Sequence, residues 1–317
     1  MLSDLKLKMI ASLSDAGFVS IKPEDYDLFA EYEKDSQLIE RTALNVISWI
    51  PEHNGLYKII EGYLCCVFIY SQKPPFFTIY KPIKPGFDNL LDFIVDALFQ
   101  ITQNISGFEF QIRYIPEEHI EEYRKIQKFK SNIFYLDSEI EYVLNCDEFL
   151  SLKGGKNKNK SRRIKKFIND GAIAFLPVDR SNIGCCLEIE EKWCEGKNCA
   201  VCSSPNGCEK NAVVGMMNLF DEKKHCGLIS TRDGVLTGYI IIEIRDETSA
   251  FMFFGKSLEN NFFAYIIYET IKRCMTKAVF FNIDADLGIE GLRRFKSGLN
   301  PAIFRKKYVY MIAENEV

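Results

Sequence analysis

Long apolar runs are missing from this chain: no stretch comes near the roughly eighteen consecutive apolar residues that a membrane-spanning helix needs. The start, Met1 to Ile10, interleaves Lys and Asp with apolar residues and so lacks the apolar core of an export signal. The expected location is the cytoplasm. Without export, the 11 cysteines are thiols or metal ligands, not a disulfide framework. Histidine is scarce as well, at three residues. His53 and His119 stand alone, and no Ser/His/Asp or Cys/His/Asn grouping emerges, which argues against nucleophilic hydrolysis.

What is present is an ordinary globular composition, 47% hydrophobic and 26% charged over 317 residues, enough for two domains. The net charge of -4 hides an asymmetry. Residues 1–146 hold 14 Lys and Arg against 22 Asp and Glu, a net -8, and residues 147–317 hold 26 against 22, a net +4. The second half is the better candidate for a phosphate-bearing partner.

The hydrophobic pattern predicts an α/β (α+β) protein whose order of elements occurs twice. Tyr63 to Tyr70 and Phe76 to Tyr80 read as paired strands around a Ser-Gln-Lys-Pro-Pro turn. Leu90, Leu91, Ile94, Val95, Leu98 and Ile101 share one face of a helix. Strand character follows over Phe108 to Ile115, then a helix over Glu117 to Lys130, then strand again from Asn132 to Asn145. In the second half a helix interrupted by a basic loop (147–169) leads to a strand (172–178) and two helices (183–193, 209–224). An antiparallel meander comes next, over 226–230, 235–244 and 249–256, with Arg232-Asp233-Gly234 as its first hairpin turn. A helix (261–276), a strand (278–283) and a closing strand (303–312) complete the chain.

The stretch Phe281 to Pro301 carries the densest chemistry. Its polar residues sit where an apolar strand hands over to a short helical pattern, and open α/β sheets bind ligands at such ends. The period of two places Asp284 and Asp286 on one side of the strand end. Gly288 and Gly291 permit a tight entry to the helix, on which Arg293 and Lys296 share a face. Carboxylates beside fixed cations suit proton transfer next to a bound anion. Asp as a helix cap and Arg or Lys as a solvated face are the plain alternative, and local chemistry leaves both open.

Two further clusters stand out. Lys153 to Lys166 packs eight basic residues, Lys156, Lys160, Arg162 and Arg163 among them, into fourteen positions, with no acid between Glu148 and Asp170. Polyphosphate, an RNA backbone or acidic lipid headgroups would each offset that charge; the alternative is a solvated basic loop. Cys194, Cys199, Cys202 and Cys208 have the spacing C-x4-C-x2-C-x5-C. Four thiols in this span can close a structural zinc site. They also fit the start of an iron–sulfur run, or simply unbound thiols.

One run of residues carries a resemblance: Asn282-x-Asp284-x-Asp286-Leu-Gly-x-x-Gly291-Leu-Arg293-x-x-Lys296-Ser297, with Pro301 behind it. The Lys156 to Lys166 segment ahead of a helix adds to it, as does Trp193 followed by Glu209-x-x-Ala212. In these features, over roughly residues 140 to 312, the chain resembles the C-terminal catalytic domain of phosphatidylglycerol lysyltransferases and their soluble bacterial relatives. The resemblance implies two tandem acyl-CoA N-acyltransferase-like domains, similar to peptidoglycan aminoacyltransferases, each a mixed, mostly antiparallel sheet flanked by helices. Residues 1–146 would form a degenerate, structural domain. Residues 147–317 would carry the active site, with the Cys-rich insert at 194–208.

The same resemblance implies an enzyme that moves an aminoacyl group from an aminoacyl-tRNA to an amine, hydroxyl or lipid acceptor, with no cofactor required for transfer. Glu209, Asp284, Asp286, Arg293 and Lys296 would line the transfer site, with Asp284 or Asp286 as base. Asn282, Lys256, Arg293 and Lys296 would hold phosphate or stabilise developing charge, and the basic segment would take the tRNA end or an anionic headgroup. Three departures bear on the acceptor and donor. The membrane-spanning region of lipid-modifying members is absent, a Glu-Lys pair expected on the meander is Gly255-Lys256, and no pyrophosphate signature of acetyl-CoA enzymes is found. The alternatives are an N-acyltransferase using a coenzyme A thioester and a non-catalytic protein that binds RNA or an anionic surface.

Overall fold

Apolar runs bounded by turn residues become strands in the computed structural model, which describes residues 2–34, 36–83, 90–153, 158–196 and 207–313. In chain order the strands are β1 (Val19–Ser20), β2 (Leu56–Ile60), β3 (Tyr63–Phe68), β4 (Phe76–Tyr80), β5 (Gln111–Pro116), β6 (Ser131–Tyr135) and β7 (Glu141–Asn145). Then follow β8 (Ile173–Pro177), β9 (His225–Arg232), β10 (Val235–Ile244), β11 (Ser249–Ser257), β12 (Phe280–Ala285), β13 (Ile303–Arg305) and β14 (Lys307–Ile312). They form two seven-stranded sheets, β1-β2-β3-β4-β5-β14-β6 and β13-β7-β12-β11-β10-β9-β8.

Each sheet is mixed. An antiparallel meander (β2-β3-β4, β9-β10-β11) meets one parallel neighbour (β5, β12), and antiparallel strands finish the row. The expected fold class therefore holds, with helices covering both sheets. The chain divides into two compact units, Met1–Leu136 with Ser204–Gly215 and Lys306–Val317, and Asp137–Ser203 with Met216–Arg305.

The boundary expected at 146/147 thus moves to 136/137, and the C-terminal strand returns to the first unit. Two stretches that read as single strands cause the shift. The segment 132–145 splits into β6 of the first sheet and β7 of the second, and 303–312 splits into β13 of the second and β14 of the first. Nothing in a hydrophobic pattern distinguishes one long strand from two short ones serving different sheets.

In the first unit β3 and β4 are buried throughout, and the helices Leu2–Asp15 and Leu91–Thr102 pack on one face of their sheet. Leu91, Ile94, Val95 and Leu98 supply that contact at the expected i, i+3, i+4, i+7 spacing, each contributing about 1.5–3 kcal/mol of burial. The helix expected over 117–130 shrinks to Ile120–Arg124 after a 3-10 turn. Its buried residues Ile120, Tyr123 and Ile126 recur every third position, a spacing that drifts off a 3.6-residue stripe. In the second unit the helices Phe263–Cys274 and Lys158–Ile168 build the core against β7, β9, β10 and β12. The predicted hairpin turn is present, with Asp233 and Gly234 both at positive φ (50° and 79°), as a two-residue turn of this hand requires.

Candidate active site

Between β11 and β12 the second sheet opens. The two strands pair in parallel over three registers, Ser249 with Phe280, Ala250 with Phe281 and Phe251 with Asn282. Beyond them β11 follows β10 to Ser257, while β12 follows β7 to Ala285, so the neighbours part. Both carry a bulge at the parting: Phe253 is extra in β11, and Ile283 with Asp284 opposes Tyr142 alone in β12.

The bulge in β12 overturns the expectation that Asp284 and Asp286 face the same side. Asp284 takes φ 62°, and its carboxylate lies within 4.8 Å of that of Glu141. Asp286 instead accepts from the hydroxyl of Tyr142 at 2.6 Å. Glu141 and Tyr142 are successive residues of β7 and point to opposite faces, so the two aspartates are divided between the faces of the sheet.

On the Tyr142 face, Asp286 is fully buried and saturated with donors. Arg293 gives Nε at 2.9 Å and Nη2 at 3.2 Å, Tyr142 adds its hydroxyl, and the amide of Gly288 donates at 2.8 Å. Gly288 closes that turn at φ 76°, a conformation that costs glycine little. Burial pushes the carboxyl of Asp286 up, but the bonds from Arg293, Tyr142 and Gly288 outweigh it and hold its pKa below the ordinary value. A carboxylate in this state is suited to anchoring Arg293 and is a weaker base than a free one; the resemblance had implied Asp284 or Asp286 as the base. Lys296, 4% exposed, donates to the carbonyl of Ala285 at 2.6 Å, tying the helix Glu290–Ser297 to the end of β12. Of the expected cations here, Arg293, with its side chain 48% exposed, reaches solvent.

The opposite face holds a second group. Asn282 is buried and links two acids: its Nδ2 donates to Glu141 Oε2 at 2.6 Å, and its Oδ1 accepts from the amide of Asp284 at 2.9 Å. Asp284 Oδ1 takes the amide of Ala285 at 2.6 Å, and among the described residues no hydrogen bond engages its Oδ2. Arg305 Nη1 approaches Glu141 at 4.0 Å. Across the opening, Lys256 pairs in register with Tyr239, and the strand registers put both on the face of Asn282 and Glu141. Glu190, from the helix Gly184–Gly196, is buried there, accepts from the Tyr239 hydroxyl and lies 3.7 Å from Lys256 Nζ. The ammonium of Lys256 also sits 4.8 Å from the ring centre of Trp193.

Glu141, Tyr142, Glu190 and Tyr239 went unnoticed in the sequence. Glu190 lies three residues before Trp193 on one helical face, a usable signal; a tyrosine inside an apolar strand is none.

The remaining candidates fall elsewhere. Glu209 opens the helix Glu209–Leu219 and belongs to the first unit, so the second unit's group is assembled without it. Lys156, Cys199 and Cys202 lie outside the described residues; Cys194 and Cys208 are half-buried and belong to different units. Lys160 is corrected. It is 4% exposed, with Nζ 3.3 Å from the carbonyl of Leu299 and 4.2 Å from the ring centre of Phe149, and burial lowers its pKa to about 8. It pins the loop after the helix Glu290–Ser297 from beneath, while Arg162, Arg163, Lys165 and Lys166 are exposed on the helix Lys158–Ile168. Replacing Lys160 by methionine removes a desolvated charge at similar volume, so K160M should gain about 1 kcal/mol in urea unfolding at neutral pH. It should leave polyanion affinity unchanged; a weakened affinity would return Lys160 to the binding surface.

Comparison with known proteins bears on this geometry. The family model described as phosphatidylglycerol lysyltransferase, C-terminal, matches residues 107–311. A conserved protein of unknown function from Bacteroides thetaiotaomicron has a similar structure, with a TM-score of 0.79, 19% identity, and coverage of 94% of this chain and 99% of that one. The L-PGS structure from Bacillus licheniformis gives 0.62 at 14% identity, covering 94% of both chains. The C-terminal domain of a putative lysylphosphatidylglycerol synthetase from Agrobacterium fabrum gives 0.58 at 12%, covering 89% and 91%. At these identities the structures speak for the fold alone. No curated protein matches the chain. No helix among the described residues is long and apolar enough to cross a membrane. With its family match spanning well over half its length, the chain belongs to the phosphatidylglycerol lysyltransferase C-terminal family.

Proposed function

We propose that the chain transfers an aminoacyl group from a tRNA to an amine or hydroxyl acceptor at the opening between β11 and β12. The observation that carries this reading is the shared face of that opening, with the cation Lys256 on one bank and the acids Asp284 and Glu141 on the other. The acceptor nitrogen or oxygen attacks the ester carbonyl and gives its proton to Asp284 Oδ2. Lys256 faces the oxyanion, and as the ester C–O bond breaks Asp284 passes that proton to the departing oxygen, which leaves as a ribose hydroxyl. Glu190, Tyr239 and the Trp193 ring hold Lys256 in place. Arg162, Arg163, Lys165 and Lys166, exposed on one helix, contact phosphates of the tRNA.

The test is transfer of labelled amino acid from charged tRNA. D284A and K256A are expected to abolish transfer while remaining folded at the assay temperature, although each melts below the parent protein. Neutralising the four helix cations together should weaken tRNA binding and lower its log–log salt slope by about 3. Normal transfer by D284A removes the proposed base. Transfer from a coenzyme A thioester alone, with charged tRNA inert, replaces the donor.

A further inference from the structure

The two sheets part at corresponding places, but the first is closed by its own side chain. Its parallel pair, β4 and β5, meets in the single register Phe77 with Ile112. Beyond it β4 follows β3 to Tyr80 and β5 follows β14 to Pro116. A bulge again marks the parting: Arg113 and Tyr114 oppose Val309 alone, and Tyr114 takes φ 58° as Asp284 takes 62°. Counted from the parallel registers, Phe77 corresponds to Phe251, Ile112 to Asn282 and Tyr114 to Asp284.

Strands that part leave buried carbonyls without ladder partners, and such groups need donors. In the first unit one guanidinium serves both strands. Arg41, 5% exposed, donates from Nη2 to the carbonyl of Ile79 on β4 at 3.0 Å and from Nη1 to that of Tyr114 on β5 at 3.3 Å. Its Cζ lies 4.3 Å from the ring centre of Tyr80. These hydrogen bonds end on main-chain carbonyls, not on a carboxylate, so the charge is spent on the gap itself. A planar fork of donors is the side-chain geometry that spans two strands, which lysine lacks. The corresponding carbonyls of the second unit belong to Phe253 and Asp284, and among the described residues no side chain donates to either.

We propose that Arg41 is a built-in plug: its guanidinium fills the strand gap of the first unit, whose counterpart stays open in the second, and so restricts substrate to one of the two units. That the open gap receives the donor rests on the transferase reading; the plug itself does not. The test uses Arg41→Ala and Arg41→Lys, followed by thermal melting and by hydrogen exchange of the β4 and β5 amides.

Both variants should melt below the parent protein, with exchange in β4 and β5 faster by on the order of a hundredfold for Arg41→Ala, as expected for two lost charge-assisted bonds. Guanidinium chloride at low millimolar concentration should raise the melting temperature of Arg41→Ala and not that of the parent, with sodium chloride as the ionic-strength control. Should Arg41→Ala fail to fold, Arg41→Lys, which keeps the charge but cannot bridge both strands, carries the test through its exchange rates. Exchange in Arg41→Lys equal to the parent, or no specific guanidinium effect on a folded Arg41→Ala, overturns the plug. Neither readout needs a substrate, so loss of the transferase reading would leave both unchanged.

Discussion

Replacing Asp286 by alanine lowers the stability of the second unit by about 2–3 kcal/mol in urea unfolding, the usual loss when hydrogen bonds to a buried charged group are removed and its polar partners are left unpaired. The carboxylate takes four hydrogen bonds from Arg293, Tyr142 and the Gly288 amide, and every donor loses its partner at once. The damage reaches the turn into the helix Glu290–Ser297, because Asp286 also accepts from Ile289 through its own carbonyl. D284A behaves differently. Asp284 is only half-buried and caps the neighbouring amide of Ala285, so its loss is expected to cost under about 1.5 kcal/mol.

The two variants also separate anchor from base. If Asp286 only aims Arg293, D286N keeps the acidic limb of its pH–rate profile while its rate falls. If Asp286 were the base, that limb would vanish, and the division of roles between the two aspartates would be reversed.

That division marks the limit of what the residues alone convey. The Asp284 to Lys296 run was legible as a strand end entering a helix, because an apolar run, two glycines and a short cationic stripe each have a local cause. The side on which each acid falls was not, since one inserted residue reverses the alternation and a bulge at a non-glycine position leaves no mark in composition. Lys160 shows the same limit in another form. In a row of lysines and arginines every member looks solvated, and only the turn of the helix Lys158–Ile168 over Phe149 decides which one is drawn inward. The meander and its first turn were readable because Asp-Gly dictates backbone geometry directly. The exchange of β7 and β14 between sheets was not, because pairing partners distant in sequence are chosen by tertiary packing.

Acid unfolding should be governed by two histidines. His53 and His225 are both buried, and burial lowers each pKa to about 4. In both, a backbone amide donates to Nδ1, from Gly55 at 3.1 Å and from Asp221 at 2.9 Å, so the proton resides on Nε2 and a second proton can enter only by displacing that amide. The unfolded chain binds these protons near pH 6.5 and the folded chain does not until about pH 4. Stability is therefore fully present above pH 6.5 and is lost as pH falls towards 4, on the order of 3 kcal/mol for each histidine.

Glu243 works the other way. Burial raises its carboxyl pKa, so it takes a proton in the folded state earlier than in the unfolded chain and offsets part of the loss. Unfolding free energy measured between pH 7 and 5 should fall with a slope approaching two protons, and His53→Gln should reduce that slope by about one. A flat profile over this range would mean that the imidazoles gain protons without leaving their amide partners.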